Sequence, residues 1–103
     1  MSKSKEAGSF QPYRVFETQR FLADLAGLGV VAQKRLESKL RDYIYPILRL
    51  SPHSGSNIKR LKNWDPPTWR YRVTDWRFFY EIDDMGRVVS MTAADHRKEA
   101  YRL

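Results

Sequence analysis

The chain has 103 residues, 42% of them hydrophobic and 14% aromatic, with a formal net charge of +7 and no cysteine. That length implies one domain with a small core that needs no staples, and the missing cysteine excludes a disulfide framework, a thiolate nucleophile and a thiolate metal site. The charge favours polyanionic partners, nucleic acid first, an acidic protein second and an anionic membrane third, against the plainer reading that surplus Lys and Arg keep the protein soluble.

Residues 1–11 are polar and read as a loose extension, leaving 12–103 as the domain. The opening stretch "MSKSKEAGSFQP" carries charge without an apolar run, so neither a signal peptide nor a membrane anchor is expected, and the protein should be cytoplasmic. After Pro12, "YRVFET" alternates like a strand. Thr18 is placed to cap a helix in which Phe21, Leu22, Leu25 and Leu28 recur at helical spacing, until Gly27 and Gly29 end the pattern.

A second helix should run from about Val31, with Leu36, Leu40, Ile44, Ile47 and Leu48 on one face. Pro46 should kink or end it, because proline lacks the amide hydrogen and its ring clashes with the preceding turn. A short continuation through Leu50 closes in "SPHSGSN", a loop by composition.

From Ile58 the period changes from helix to strand. "NIKRLKNW" contains a strand, "DPP" a break, "TWRYRVTDWRFFYEI" a hairpin, "DDMG" a turn and "RVVSMTAA" a last strand, with "DHRKEAYRL" as a polar tail. Helices and strands segregated in this way predict an α+β fold: a small antiparallel β-sheet with an N-terminal helical hairpin packed on one face.

The hairpin carries the chemistry. Side chains alternate along a strand, so Trp69, Tyr71 and Val73 share one side and Arg70 and Arg72 the other. With Thr74 and Asp75 as a two-residue turn, Arg72 falls directly opposite Arg77, a like-charge pair that is destabilising unless something anionic lies between. A carboxylate of the protein, with Glu81 as the candidate, or a ligand could fill that role. The alternative is a solvated face with arginines lying over aromatics. Three arginines on one face of a basic chain favour an anion site, and the interleaved aromatics suit RNA. Tyr43, Tyr45, Trp69, Tyr71, Phe78 and Tyr80 read as core or core edge. Trp64 reads as a rim residue of an RNA site or a partner groove, and Lys59, Arg60 and Lys62 as contacts to RNA backbone or as solvated charges. With only His53 and His96 available, a zinc site would need carboxylates, and no cluster is spaced for that.

Taken together, the "KRLKN" strand entry, the "YRVTDWRFFYEID" hairpin and the closing "HRKEAY" resemble the C-terminal half of the RelE/ParE superfamily of toxins from toxin-antitoxin pairs, and the helical first half fits its helical hairpin. The resemblance covers about residues 12–102. It implies a RelE-like fold and one of two activities: members similar to RelE cleave messenger RNA, usually in the ribosomal A site, whereas those similar to ParE poison DNA gyrase and lack the catalytic basic residues. The RelE branch's basic positions fall on Arg70, Arg72, Arg77 and Arg97, with its tyrosine on Tyr101. The resemblance thus implies an endoribonuclease without cofactor or metal, in which the ribose 2′-hydroxyl attacks a phosphate held by the arginines, with a ParE-like gyrase inhibitor and a non-toxic binding member as alternatives.

The best-known members carry lysines where Arg70 and Arg72 stand, and one of these can accept the 2′-hydroxyl proton. Arginine cannot do so. His96, titratable near neutrality and beside Arg97, is therefore a candidate acid or base, to be weighed against a plain surface histidine. Glu81 is a weaker candidate, and His53 reads as incidental. The implied partners are a cognate antitoxin, messenger RNA and the ribosome, with operator DNA reached only through the antitoxin complex and no membrane.

Overall fold

The computed structural model describes residues 11–96; Arg97, Tyr101 and the expected N-terminal extension up to residue 10 lie outside them. Its elements follow in the order β1 (Arg14–Glu17), α1 (Gln19–Ala26), α2 (Val30–Lys39), a π-helical turn (Leu40–Ile44), α3 (Tyr45–Leu50), β2 (Ile58–Arg60), β3 (Trp69–Val73), β4 (Trp76–Asp83) and β5 (Val88–His96). The strands form one sheet in the order β1-β5-β4-β3-β2. The expected antiparallel meander holds for β2 to β5, but the sheet is mixed, because β1 pairs in parallel with β5.

Thr18 caps α1 as expected, its Oγ1 accepting from the Phe21 amide at 3.2 Å, and the same hydroxyl donates to the Met91 carbonyl at 2.7 Å. One side chain thus starts the helix and ties it to β5. Gly29, at a φ of 94°, makes the reversal into α2 that a side chain would resist.

Beyond α2 the helical chain does not break at Pro46. Leu36, Leu40, Ile44 and Leu48 are buried at a strict spacing of four, and on an ideal helix such a row drifts by about 40° per step. The wider π turn absorbs part of that drift and keeps the row on the core. It also lies where the ring of Pro46, near the start of α3, would crowd the preceding turn. The same turn leaves Tyr43 67% exposed, a correction to its expected core position.

The core lies between these helices and one face of the sheet, where Phe21, Leu25, Leu40, Ile44 and Leu48 meet Phe78, Tyr80, Val89 and Met91. Buried hydroxyls are matched: Tyr80 donates to the Pro52 carbonyl at 2.7 Å and Tyr45 to Glu17 at 2.6 Å. Burial pushes both phenols well above the usual tyrosine range. No helix among the described residues is long and apolar enough to cross a membrane.

Candidate nucleic-acid interface

Strand alternation puts a second, uncovered face on the sheet. The β3–β4 register pairs Val73 with Trp76, Arg72 with Arg77 and Arg70 with Phe79, as the hairpin pattern implies. Lys59 pairs with Arg70 on β2, and Arg77 pairs with Asp95 on β5. Across the strands the open face therefore carries Lys59, Arg70, Phe79 and Ala93 in one row, and Arg72, Arg77 and Asp95 in the next. Charge runs from basic at β2 and β3 to acidic at β5.

Arg72 is exposed, whereas Arg70 and Arg77 are half-buried. Arg77 Nη2 donates to Asp95 Oδ2 at 2.7 Å. The carboxylate that relieves the like-charge pair is therefore Asp95 and not Glu81, which sits four residues along β4, about 13 Å away at strand rise. Arg77 Nε is buried and has no hydrogen-bond partner among the described residues. Its guanidinium is thus fixed from one side and retains donor capacity.

His96 does not join this cluster. Phe79 pairs with Ala93 and Tyr80 with Met91, so Thr92 is an extra residue on β5, a β-bulge. Past the bulge the alternation inverts, which brings Asp95 to the arginine face and turns His96 to the helix-covered one, where its ring meets Trp76 edge-on at 4.5 Å. Without the extra residue the two would exchange faces. β5 also continues through Asp95 and His96, which the sequence pattern assigned to a polar tail.

The expected RNA-contacting residues divide in the same way. Arg60 pairs with Trp69 on the covered side, its guanidinium 5.3 Å from that ring. Lys62 is exposed in the turn after β2, and Lys59 faces the arginines. Trp64 folds back over the open face and stacks on Phe79, centroids 5.8 Å apart and planes 15° from parallel. Phe79, unclaimed in the sequence reading, was legible there, since it alternates with Arg77 and Glu81.

Two grooves flank the central row. One, of about 610 Å³, is basic and lies at the β2–β3 edge, lined by Ser56, Asn57, Lys59, Arg70, Arg72 and Thr74. The other, also about 610 Å³, runs beside β4 and β5 with Trp64, Asp65, Thr68, Phe79, Glu81 and Thr92 in its lining.

His53 has a structural place. Its Nε2 lies 2.9 Å from Asp84 Oδ1, and its ring meets Tyr13 and Trp69 edge-on. Tyr13 donates to the same Asp84 oxygen at 2.6 Å. This hydrogen bond holds the Asp84 carboxyl below the usual carboxylate range, with His53 adding to the effect, and raises the Tyr13 phenol. The group clips the loop after α3 to the β4–β5 turn.

A family model described as the ParE toxin of type II toxin-antitoxin system, parDE, matches residues 11–101. Among solved structures, the chain is similar to a chain of the RelBE2 toxin-antitoxin complex of Mycobacterium tuberculosis, at 26% identity over 85% of this chain and 94% of that one, with a TM-score of 0.67. It is also similar to a chain of the RelE-RelB complex of Pyrococcus horikoshii, at 21% identity over 84% and 96% of the two chains and a TM-score of 0.61. A third likeness is to the isolated RelE toxin of Escherichia coli, at 20% identity over 87% and 96% and a TM-score of 0.59. The last two speak for the fold alone. No curated protein matches the chain.

Proposed function

Because the chain belongs to the ParE toxin family of type II toxin-antitoxin systems, within the RelE/ParE superfamily, it is the toxin of such a pair, and we propose that it acts as an endoribonuclease on messenger RNA engaged by the ribosome. The observation that carries this reading is the juxtaposition of Arg72 and Arg77 across the middle of an uncovered sheet face, one exposed and the other fixed by Asp95. Asp95 relieves the pair from the Arg77 side alone, and an anion seated on both guanidinium groups would relieve it further. A scissile phosphate fits, because planar guanidinium groups donate paired hydrogen bonds to phosphate oxygens whose charge grows in the transition state.

In this reading the RNA backbone runs along the basic groove of Lys59, Arg70 and Arg72, and the 2′-hydroxyl next to the held phosphate is the nucleophile. Its oxygen bonds to phosphorus, the bond from phosphorus to the 5′ oxygen breaks, and that oxygen takes up a proton to leave as a hydroxyl. The product is a cyclic phosphate. Asp95 replaces His96 as the candidate acceptor for the 2′-hydroxyl proton, being the carboxylate in contact with Arg77 on the open face. The resemblance further implies that Arg97 acts on the leaving-group side and that Tyr101 stacks on or orients the nucleotide. A cognate antitoxin is the expected partner, as RelB is of RelE in the Pyrococcus horikoshii complex.

Primer extension on a translated message, with purified protein added with and without ribosomes, tests the reading. Cuts at a fixed place within codons that need ribosomes are expected. A gyrase inhibitor is the second reading, favoured by the ParE description of the matching family model and by an Arg77 already neutralised by Asp95. No cuts from protein that arrests growth, together with lost supercoiling by gyrase, would replace the first reading by the second.

A further inference from the structure

We propose that the groove beside Trp64, Phe79 and Glu81 is a nucleobase subsite that seats one unpaired, amino-bearing base against Trp64 and disfavours uracil. This rests on the reading of the open face as an RNA site and adds what the groove selects.

The loop at 61–68 is built to hold its tip in place. Its ends are joined by a hydrogen bond from the Leu61 amide to the Thr68 carbonyl at 2.9 Å, and Thr68 is buried, with its hydroxyl donating to the Pro66 carbonyl at 3.0 Å. The loop so closed sets Trp64 over Phe79 and still leaves the indole 52% exposed. A fixed, half-exposed indole is the platform on which unpaired bases stack. If Trp64 only shielded Phe79, a smaller apolar side chain would serve.

Most of the groove's polar side chains are acceptors, the Arg20 guanidinium and the Trp64 indole N–H being its donors. Asp65 and Glu81 are carboxylates, and neither is in an ion pair among the described residues. The two hydroxyls have spent their protons, Thr68 on the Pro66 carbonyl and Thr92 on the Phe79 carbonyl at 3.2 Å, so each offers lone pairs only. Arg20 at the far rim is drawn to Asp24 at 3.8 Å. An acceptor-lined groove accommodates an exocyclic amino group, which guanine, adenine and cytosine carry. Uracil has no amino group, and its one edge donor, N3–H, lies between two carbonyl oxygens that the same walls leave unpaired. The groove adjoins the Arg77–Asp95 pair, because Asp95 lines it as well, so the seated base belongs to a nucleotide flanking the held phosphate.

The test uses short single-stranded RNAs that differ at one base, with 2′-O-methyl groups so that no cut is needed, and reads binding to the full chain with and without ribosomes. Wild type should bind the adenine, cytosine and guanine forms about tenfold tighter than the uracil form, the size of one hydrogen-bond mismatch to a charged group. Trp64→Ala should lose at least about fivefold in affinity for the favoured forms while melting at the wild-type temperature, and Trp64→Phe should recover most of the loss. Glu81→Gln, which supplies an N–H donor, should narrow the discrimination against uracil. Equal binding of all four forms by wild type, or an unchanged base order in folded Trp64→Ala, overturns the subsite. Wild type and Trp64→Ala cutting a message at identical sites and rates would overturn the subsite and leave the nuclease standing. A base order lost in Trp64→Ala, from a wild type that never cuts, would do the reverse. Neither binding nor cutting overturns both.

Discussion

The two faces of the sheet are made from the same strands and differ in nearly every other respect. On the covered face, Phe78, Tyr80, Val89 and Met91 are buried against α1, the π turn and α3. On the open face, alternate residues of those strands are Arg70, Arg72, Arg77, Phe79, Glu81 and Asp95. The contrast teaches that this fold separates its core from its charged face by parity: odd and even positions of one strand meet different surroundings, and apolar burial beneath offsets the repulsion between charges above.

The contrast can be broken from either side. Phe78→Ala strikes only the covered face and should cost about 3–5 kcal/mol of unfolding free energy, read in a urea titration, with activity falling only as far as the folded fraction does. Arg77→Ala strikes only the open face. It should reduce ribosome-dependent cutting by about 10²–10³-fold, the loss typical of one transition-state donor, with the urea midpoint nearly unchanged. A folded Arg77→Ala protein that still cuts and still arrests growth would remove the arginine pair from the mechanism.

Smaller effects sharpen the line. Tyr45→Phe deletes the hydrogen bond to Glu17 that joins α3 to β1 and should cost about 1–2 kcal/mol, with no change in cut sites. Arg72→Thr removes the like-charge neighbour of Arg77 and should stabilise the fold by about 0.5 kcal/mol while weakening RNA binding, opposite signs from one substitution. The smallest effect concerns pH. Because the Asp84 carboxyl titrates below its usual range in the folded state, its contribution to stability is present above the usual carboxylate pKa and is lost as pH falls through the folded one. Asp84→Asn should therefore lower the neutral plateau of a stability-against-pH curve slightly and flatten its acid limb, leaving stability at the acid end nearly unchanged. An unaltered acid limb would mean the Tyr13–Asp84–His53 clip does not form.

Much of this arrangement was legible in the sequence because it follows from local period. The cap at Thr18, the Thr74–Asp75 turn, the Arg72–Arg77 pairing and the helical row from Leu36 to Leu48 depend on spacing alone. What escaped depends on partners distant in sequence. A bulge is one uncounted residue in a strand that otherwise alternates, and "SMTAADH" contains no glycine or proline to mark it, so parity counted from Met91 sends His96 to the wrong face and conceals Asp95. The parallel pairing of β1 with β5 was equally invisible, since strand period fixes which side chains share a face but not the direction of the neighbouring strand. The π turn left a trace, a strict four-residue spacing running into Pro46.

The first strand of this sheet is made at the beginning of the chain and placed at its end. Arg14 to Glu17 find their ladder only on Val88 to Met91, so during synthesis β1 must wait while nearly all of the domain emerges. Local helices and the β3–β4 hairpin can form early, whereas this closure spans the chain and comes late. A nascent toxin is therefore without its completed sheet while the ribosome that makes it is still at work. The order of strands thus sets a delay between the first residues made and the folded toxin.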